Sequence, residues 1–145
     1  MKGTGTMLLQ VRSDPDVALM RQRVRQAAAL AGLGLVEQTK LVTAASELAR
    51  NTLVHGGGGS VEVTPVSRGA TAGLRLRFSD SGPGIPDVEL AMTDGWTTAG
   101  GLGLGLSGSR RLVHEFALDT VPGQGTTVTI ASWAAPTTAP PVWSW

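Results

Sequence analysis

The chain has 145 residues, of which 41% are hydrophobic, with a net charge of +1 and no cysteine. This length suits one domain with a single core, and the small net charge gives no indication of a nucleic acid as partner. The lack of cysteine excludes disulfides, cysteine-ligated zinc and a thiol nucleophile. No apolar run approaches the roughly 18 residues of a membrane span, and no signal peptide is recognisable. We therefore expect a soluble, cytoplasmic protein without a membrane partner.

The first third of the chain predicts one strand followed by two helices. Residues 7–12 are predicted to form the strand, and residues 13–15 (Ser-Asp-Pro) supply caps and an early proline for a helix over 16–31. A second helix is predicted over 36–54, because its apolar side chains recur at helical spacing. Both helices should pack one apolar face against a core.

The second helix contains two polar residues beside its apolar stripe. Glu47 and Asn51 are four positions apart, so their side chains should project together from one edge of the helix. This spacing is equally typical of a surface pair at the helix shoulder. His55 and the glycines at 56–59 are expected to end the helix, with a glycine in the left-handed conformation.

The middle of the chain predicts a hairpin. Residues 60–66 and 72–79 alternate apolar and polar side chains, and a short turn at 67–70 joins them, which implies antiparallel pairing. A short helix is expected over 86–92, where a proline and an acidic residue begin the segment.

The last third of the chain predicts a helix between a glycine-rich segment and two strands. Residues 93–105 are glycine-rich and are expected to be flexible. A helix is predicted over 105–116, and strands over 117–121 and 126–132. The remaining residues, 133–145, are rich in Pro, Thr, Ala and Trp without any period, and are expected to be poorly ordered or to dock on another surface.

This order of elements predicts the fold class. Helices combined with a hairpin-rich sheet favour an α/β two-layer sandwich, with a mixed, largely antiparallel sheet and the helices on one face. We expect one domain over residues 1–132 and a Pro/Trp-rich tail over 133–145.

The hairpin's second strand ends in a candidate binding motif. Asp80, Gly82 and Gly84 form a D-x-G-x-G sequence directly after apolar positions 74, 76 and 78. A carboxylate at a strand end can act as an acceptor at the mouth of a pocket, and glycines allow backbone to approach a flat ligand. A plain turn would use the same residue types.

A second glycine motif precedes the last predicted helix. Residues 100–105 (Gly-Gly-Leu-Gly-Leu-Gly) open into that helix, whose free N–H groups would favour a phosphate. The motif is neither a Walker loop nor a Rossmann turn, because it has no Gly-Lys-Ser/Thr and no strand immediately before it. A flexible lid without a ligand is the alternative.

Together these segments resemble the four boxes of the GHKL ATPase superfamily, which has the Bergerat nucleotide-binding fold. Within it the chain resembles the small anti-sigma-factor type serine/threonine kinases, most of all the RsbT-type switch kinase of stress-signalling complexes. The likeness covers residues 7–131. It rests on Glu47-Leu48-Ala49-Arg50-Asn51, Asp80-Ser81-Gly82-Pro83-Gly84-Ile85, Asp94-Gly95-Trp96-Thr97-Thr98, Gly101-Leu102-Gly103-Leu104-Gly105-Leu106, Arg110-Arg111-Leu112 and Gly123-Gln124-Gly125-Thr126-Thr127.

The resemblance implies a role for each box. Asn51 would ligate Mg²⁺, Asp80 would accept from the adenine amino group of ATP, and Glu47 would be the general base on a seryl or threonyl hydroxyl. Thr126 or Thr127 would support Asp80. The candidate donors to the γ-phosphate are Arg50, Arg110 and Arg111. The implied site comprises Glu47 and Arg50 as catalytic residues, Asn51 as metal ligand, and Asn51, Asp80, Gly82, Gly84, Ile85, Thr98, Gly101, Leu102, Gly103, Leu104, Gly105, Leu106 and Thr126 around the nucleotide.

The resemblance also implies partners: a STAS-domain regulatory protein as substrate and a serine phosphatase as a second partner, in a homodimer or a larger signalling assembly. A non-catalytic, anti-sigma-like module that uses nucleotide as a switch is the first alternative, and Glu47 counts against it because a pure binder needs no base. The ATP domain of a sensor kinase is the second alternative. The boxes here are not preceded by a dimerisation helix or a phosphoacceptor segment, which makes it less favoured.

Overall fold

The computed structural model describes residues 5–85, 88, 92 and 105–135. Within these residues the chain forms five strands and three helices in the predicted order. They are β1 (Met7–Val11), α1 (Asp14–Leu30), α2 (Leu35–Val54), β2 (Gly59–Arg68), β3 (Thr71–Asp80), α3 (Gly105–Arg111), β4 (Glu115–Val121) and β5 (Gly125–Trp133).

The strands form one sheet in the order β1-β2-β3-β5-β4, and each of its four pairings is antiparallel. The two-layer α/β prediction is confirmed, and the described sheet, which we expected to be mixed but largely antiparallel, is antiparallel throughout. Side chains alternate between the two faces of β3, as a half-buried strand requires. Leu74, Leu76 and Phe78 are buried, whereas Arg75 and Arg77 are exposed on the face without helices.

The helices cover the other face of the sheet and complete the core. In α1 the Ser13 hydroxyl accepts from the Asp16 N–H at 3.3 Å, so the predicted cap is confirmed. The buried stripe of α1 consists of Val17, Met20, Val24 and Ala28, and the central positions of α2 supply Leu41, Ala45, Leu48 and Ala49. This packing holds α2 across the sheet.

Two predicted boundaries are wrong. The helix expected over 105–116 ends at Arg111, and Glu115 and Phe116 belong to β4, where they pair with Ala131 and Ile130 of β5. Pairing with β5 gives these residues backbone partners from a distant part of the chain, and this outweighs their local helical spacing.

The hairpin turn is also tighter than predicted. The strands β2 and β3 extend to Arg68 and from Thr71, so that only residues 69 and 70 remain in the turn. Gly69 there has a φ of +60°, which suits a two-residue hairpin.

Several predicted segments lie wholly or partly outside the described residues. Most of the short helix over 86–92 lies outside the described residues, although the Met92 N–H donates to the Val88 carbonyl at 2.9 Å, as in one helical turn. The glycine-rich residues 93–104 and residues 136–145 lie outside them as well. Trp133, which we assigned to the tail, is the last residue of β5. In the part of the chain that the structure describes, no helix is long and apolar enough to span a membrane.

Candidate active site

The polar pair on α2 lies on the inner side of the helix. Glu47 has 0% exposed surface, and Asn51, one turn later, is half-buried. The surface-pair interpretation of this spacing is therefore wrong for Glu47. Leu48 and Ala49 are buried as well, so this stretch of α2 faces the interior around most of its circumference. A carboxylate held at such a position is costly to bury, which is typical of a functional group rather than a packing residue.

At the end of α2 the chain approaches the sheet next to Asp80. The carbonyl of Asn51 accepts from the N–H groups of His55 and Gly56, at 2.9 and 3.2 Å. His55 is the C-cap residue and its side chain is exposed, which agrees with a structural role at the helix end. Gly57 follows with a φ of +75°, so the predicted left-handed glycine is confirmed.

Asp80 is held by backbone from two directions. Its Oδ1 accepts from the Gly82 N–H at 2.9 Å. On its other side lies Gly56, where a Cβ would overlap the Asp80 carboxyl group. A Cβ on Gly82 would in turn come within 2.7 Å of the Gly56 Cα. Only glycine at positions 56 and 82 allows the end of α2, the carboxylate and the loop after β3 to pack together.

A threonine that we did not predict joins this loop to the neighbouring strands. The Thr120 hydroxyl oxygen of β4 accepts from the Ile85 N–H at 2.8 Å and lies 3.2 Å from the Gly125 carbonyl and 3.0 Å from the Thr126 hydroxyl. Thr126 pairs with Asp80 across β3 and β5. Thr120 could have been found only from strand register, because it faces Thr126 across the β4–β5 hairpin.

The second glycine of the motif packs against protein. Gly84 has a φ of +78°, and a Cβ there would lie 2.7 Å from the Val121 carbonyl oxygen. The preceding carbonyl, of Pro83, accepts from the Gly123 N–H at 2.7 Å. Pro83 and Gly84 are therefore packed against the β4–β5 turn, and this contact requires glycine at position 84 whether or not a ligand lies nearby.

The glycine box is described only from the start of α3. Gly105 begins this helix and Leu106 is buried, with 3% exposure, as part of the core. Thr98, Gly101, Leu102, Gly103 and Leu104 lie outside the described residues. Helix α3 packs against α2, which brings the end of the box to the helix that contains Glu47 and Asn51.

The three candidate arginines occupy different surroundings. Arg50 is half-buried on α2, directly before Asn51. Arg110 and Arg111 are exposed in the last turn of α3. They are at least five residues from Gly105, which is about 8 Å along a helix. Arg50 is thus the candidate that shares a helix with Glu47 and Asn51, whereas Arg110 and Arg111 lie at the opposite end of α3 from Gly105.

Comparisons with known proteins agree with this geometry. Residues 36–136 match the family model of histidine kinase-, DNA gyrase B- and HSP90-like ATPases. The chain is 40% identical over 125 residues to the serine/threonine-protein kinase RsbT of Bacillus subtilis (strain 168), which covers 86% of this chain and 94% of that protein.

A solved structure shows the same fold. It contains the RsbU and RsbW domains of a Mycobacterium tuberculosis protein and superposes with a TM-score of 0.64 at 20% identity. The match covers 92% of this chain and 34% of that one, and at this identity it bears on the fold alone. The family match and the 40% identity indicate the activity as well as the fold. The chain therefore belongs to the histidine kinase-, DNA gyrase B- and HSP90-like ATPases, an ATP-using family, as one of its serine/threonine protein kinases.

Proposed function

We propose that this kinase transfers the γ-phosphate of ATP to a serine or threonine of a STAS-domain regulatory protein, in a cytoplasmic partner-switching pathway. In the same pathway it would bind and activate a serine phosphatase. The observation that supports this most is the 40% identity over 125 residues, which spans 94% of RsbT. We further propose that residues 1–132 form the catalytic domain.

The adenine pocket is proposed at Asp80. Because Oδ1 accepts from the Gly82 N–H, Oδ2, which lies on the side of Gly56, would be the atom that accepts from another donor. The exocyclic amino group of adenine is a donor of the right kind. Thr126, opposite Asp80 on β5, and Ile85, tied to Thr120, would line the same pocket.

The donor set fits a magnesium ion held mainly by nucleotide. The described residues contain no group of three or more His, Cys, Asp or Glu side chains that could enclose a metal. Mg²⁺ is commonly bound by one or two protein oxygens together with phosphates and waters, and the Asn51 side-chain oxygen is of the type it prefers. When bound, Mg²⁺ would neutralise charge on the phosphates.

We assign the protein's own part in phosphate transfer to two residues of α2. Glu47 would accept the proton of the incoming hydroxyl, and Arg50 would donate to the transferred group. Because Glu47 has no exposed surface, the reaction requires this side chain to become accessible to the substrate hydroxyl. Thr98, Gly101, Leu102, Gly103, Leu104 and Gly105 would hold the phosphates, with Leu106 anchoring the segment in the core.

Two substitutions separate nucleotide binding from transfer. Asp80→Asn keeps the size of the side chain but removes the anionic acceptor, and should weaken ATP binding by about 10- to 100-fold in calorimetry. Glu47→Gln should leave ATP binding in place and slow phosphate transfer to STAS-domain proteins by about 10²- to 10⁴-fold. The transfer is measured with labelled γ-phosphate.

Matched controls come from the sheet face without helices. Glu62→Gln and Asp119→Asn make the same chemical changes on β2 and β4, and should leave both measurements unchanged. Unaltered ATP affinity in Asp80→Asn would refute the adenine pocket, and unaltered transfer in Glu47→Gln would refute the base. ATP binding by the wild type without transfer to any STAS-domain protein would contradict the proposed substrate class.

A further inference from the structure

Three large apolar side chains are exposed together where α1 meets α2. Leu30 has 90% of its surface exposed, Leu35 72% and Val36 65%. We call these three residues the turn patch. Single exposed apolar residues are common, but three within seven positions on one well-formed turn indicate a surface that something covers.

The backbone beneath the turn patch is well ordered by local contacts. Leu33, between the exposed residues, is buried, with 3% exposure. Its N–H donates to the Ala28 carbonyl at 3.0 Å, and its carbonyl accepts from the Gln38 side-chain amide at 2.8 Å. The exposure of the turn patch therefore does not come from an unfolded connection.

The chain leaves β5 directly beside this turn. A Cβ on Gly32 would lie 3.7 Å from the Ala134 Cβ, and the Ala134 N–H donates to the Ala72 carbonyl at 2.8 Å. Leu35 is three residues from Gly32, and so lies within about 11 Å of it. The last described residue, Ala135, follows immediately.

The ten residues that follow, 136–145, have a composition that suits this surface. They contain Val142, Trp143 and Trp145, three prolines and no charged residue. Ten residues can extend about 33 Å, several times the distance to the turn patch.

We propose that residues 136–145 fold back on the same chain and cover the turn patch with Trp143 and Trp145. Attachment next to the turn gives the segment an effective concentration in the millimolar range, which favours it over a separate molecule of similar affinity. The proposal is independent of the substrate proposed above, because the turn patch contains no residue of the candidate active site.

The test compares methyl NMR spectra of the whole chain and of a variant that ends at Ala135. Tryptophan rings over the turn patch should shift the methyl signals of Leu30, Leu35 and Val36, and truncation should abolish these shifts. Leu8, which is 60% exposed on β1 at the far edge of the sheet, is the control and should not respond. The shifts should be the same at low and high protein concentration.

A second variant guards against indirect effects of truncation. Trp143→Ala combined with Trp145→Ala should reproduce the loss of shifts in the whole chain. Unchanged turn-patch signals in both variants would overturn the proposal, as would equal changes at Leu8. Shifts that grow with protein concentration would also overturn it, since they would identify a second copy as the occupant.

Discussion

A carboxylate lies near each end of the β3–β5 pair, and the two are held by different kinds of contact. At one end Asp80 is fixed by a backbone N–H and by glycines that press against it. At the other end Glu115 is held by side chains, through the Trp133 indole N–H at 2.7 Å and Arg68 at 3.1 Å. The first arrangement depends on main chain from two segments, at Gly56 and Gly82, whereas the second is an exposed cluster of side chains that can rearrange.

This difference bears on function. Backbone donors and glycine contacts leave Asp80 few alternative positions, which suits a group that must meet a ligand in one geometry. At the other end Arg68 lies 4.5 Å from the centre of the Trp133 ring, and its side chain is 71% exposed. Such contacts contribute modestly and are screened by salt. Substitutions at the two ends should therefore differ in size and in what they affect.

The largest effect is expected from Gly56→Ala. The added Cβ would overlap the Asp80 carboxyl group, so we expect a loss of about 1–3 kcal/mol in the free energy of unfolding, together with weaker ATP binding. Urea denaturation and calorimetry measure the two effects.

Gly34→Ala is the matched control, because nothing lies within 4 Å of a Cβ there. As an N-cap substitution it should cost less than about 1 kcal/mol and leave ATP affinity unchanged. Equal behaviour of the two variants would show that Gly56 does not constrain Asp80.

Thr120→Val should have the next largest effect. It removes a hydroxyl that serves the Ile85 N–H and lies beside Thr126, and would leave a half-buried donor unsatisfied. We expect a loss of about 1–2 kcal/mol in the free energy of unfolding. Thr129→Val, on the sheet face without helices, should change it by less than about 0.5 kcal/mol. A similar loss in both variants would contradict the bridging role of Thr120.

The smallest effect is expected at Glu115. The Trp133 hydrogen bond is the largest cause that holds the pKa of Glu115 below its ordinary value; desolvation opposes it, and the contact with Arg68 and the charge of His114 add to the lowering. Because the folded-state pKa is lowered, this stabilisation is present above the ordinary glutamate pKa and is lost as the pH falls through the folded-state pKa. Glu115→Gln should cost less than about 1 kcal/mol at neutral pH.

The difference in unfolding free energy between wild type and Glu115→Gln isolates this group from others that titrate. It should shrink as the pH falls from 7 to about 3, and also on addition of salt. A difference that stays constant with pH would show that the charge of the Glu115 carboxylate contributes nothing to the free energy of unfolding.

Local signals in the sequence predicted much of this protein. The Ser13 cap, the helical spacing of the first two helices and the alternation along β3 act over a few residues each, so the order of elements was predictable from neighbouring positions. The glycine and aspartate boxes pointed to the family because their residue types and order are unusual in combination.

Tertiary structure decided the features that depend on distant segments. Pairing with β5 places Phe116 in a strand, packing in the interior gives Glu47 its complete burial, and the approach of α2 to β3 makes Gly56 necessary. The bridging position of Thr120 follows from register between strands. Each of these depends on contacts between residues far apart in sequence, whose geometry is set only when the sheet and the helices pack together.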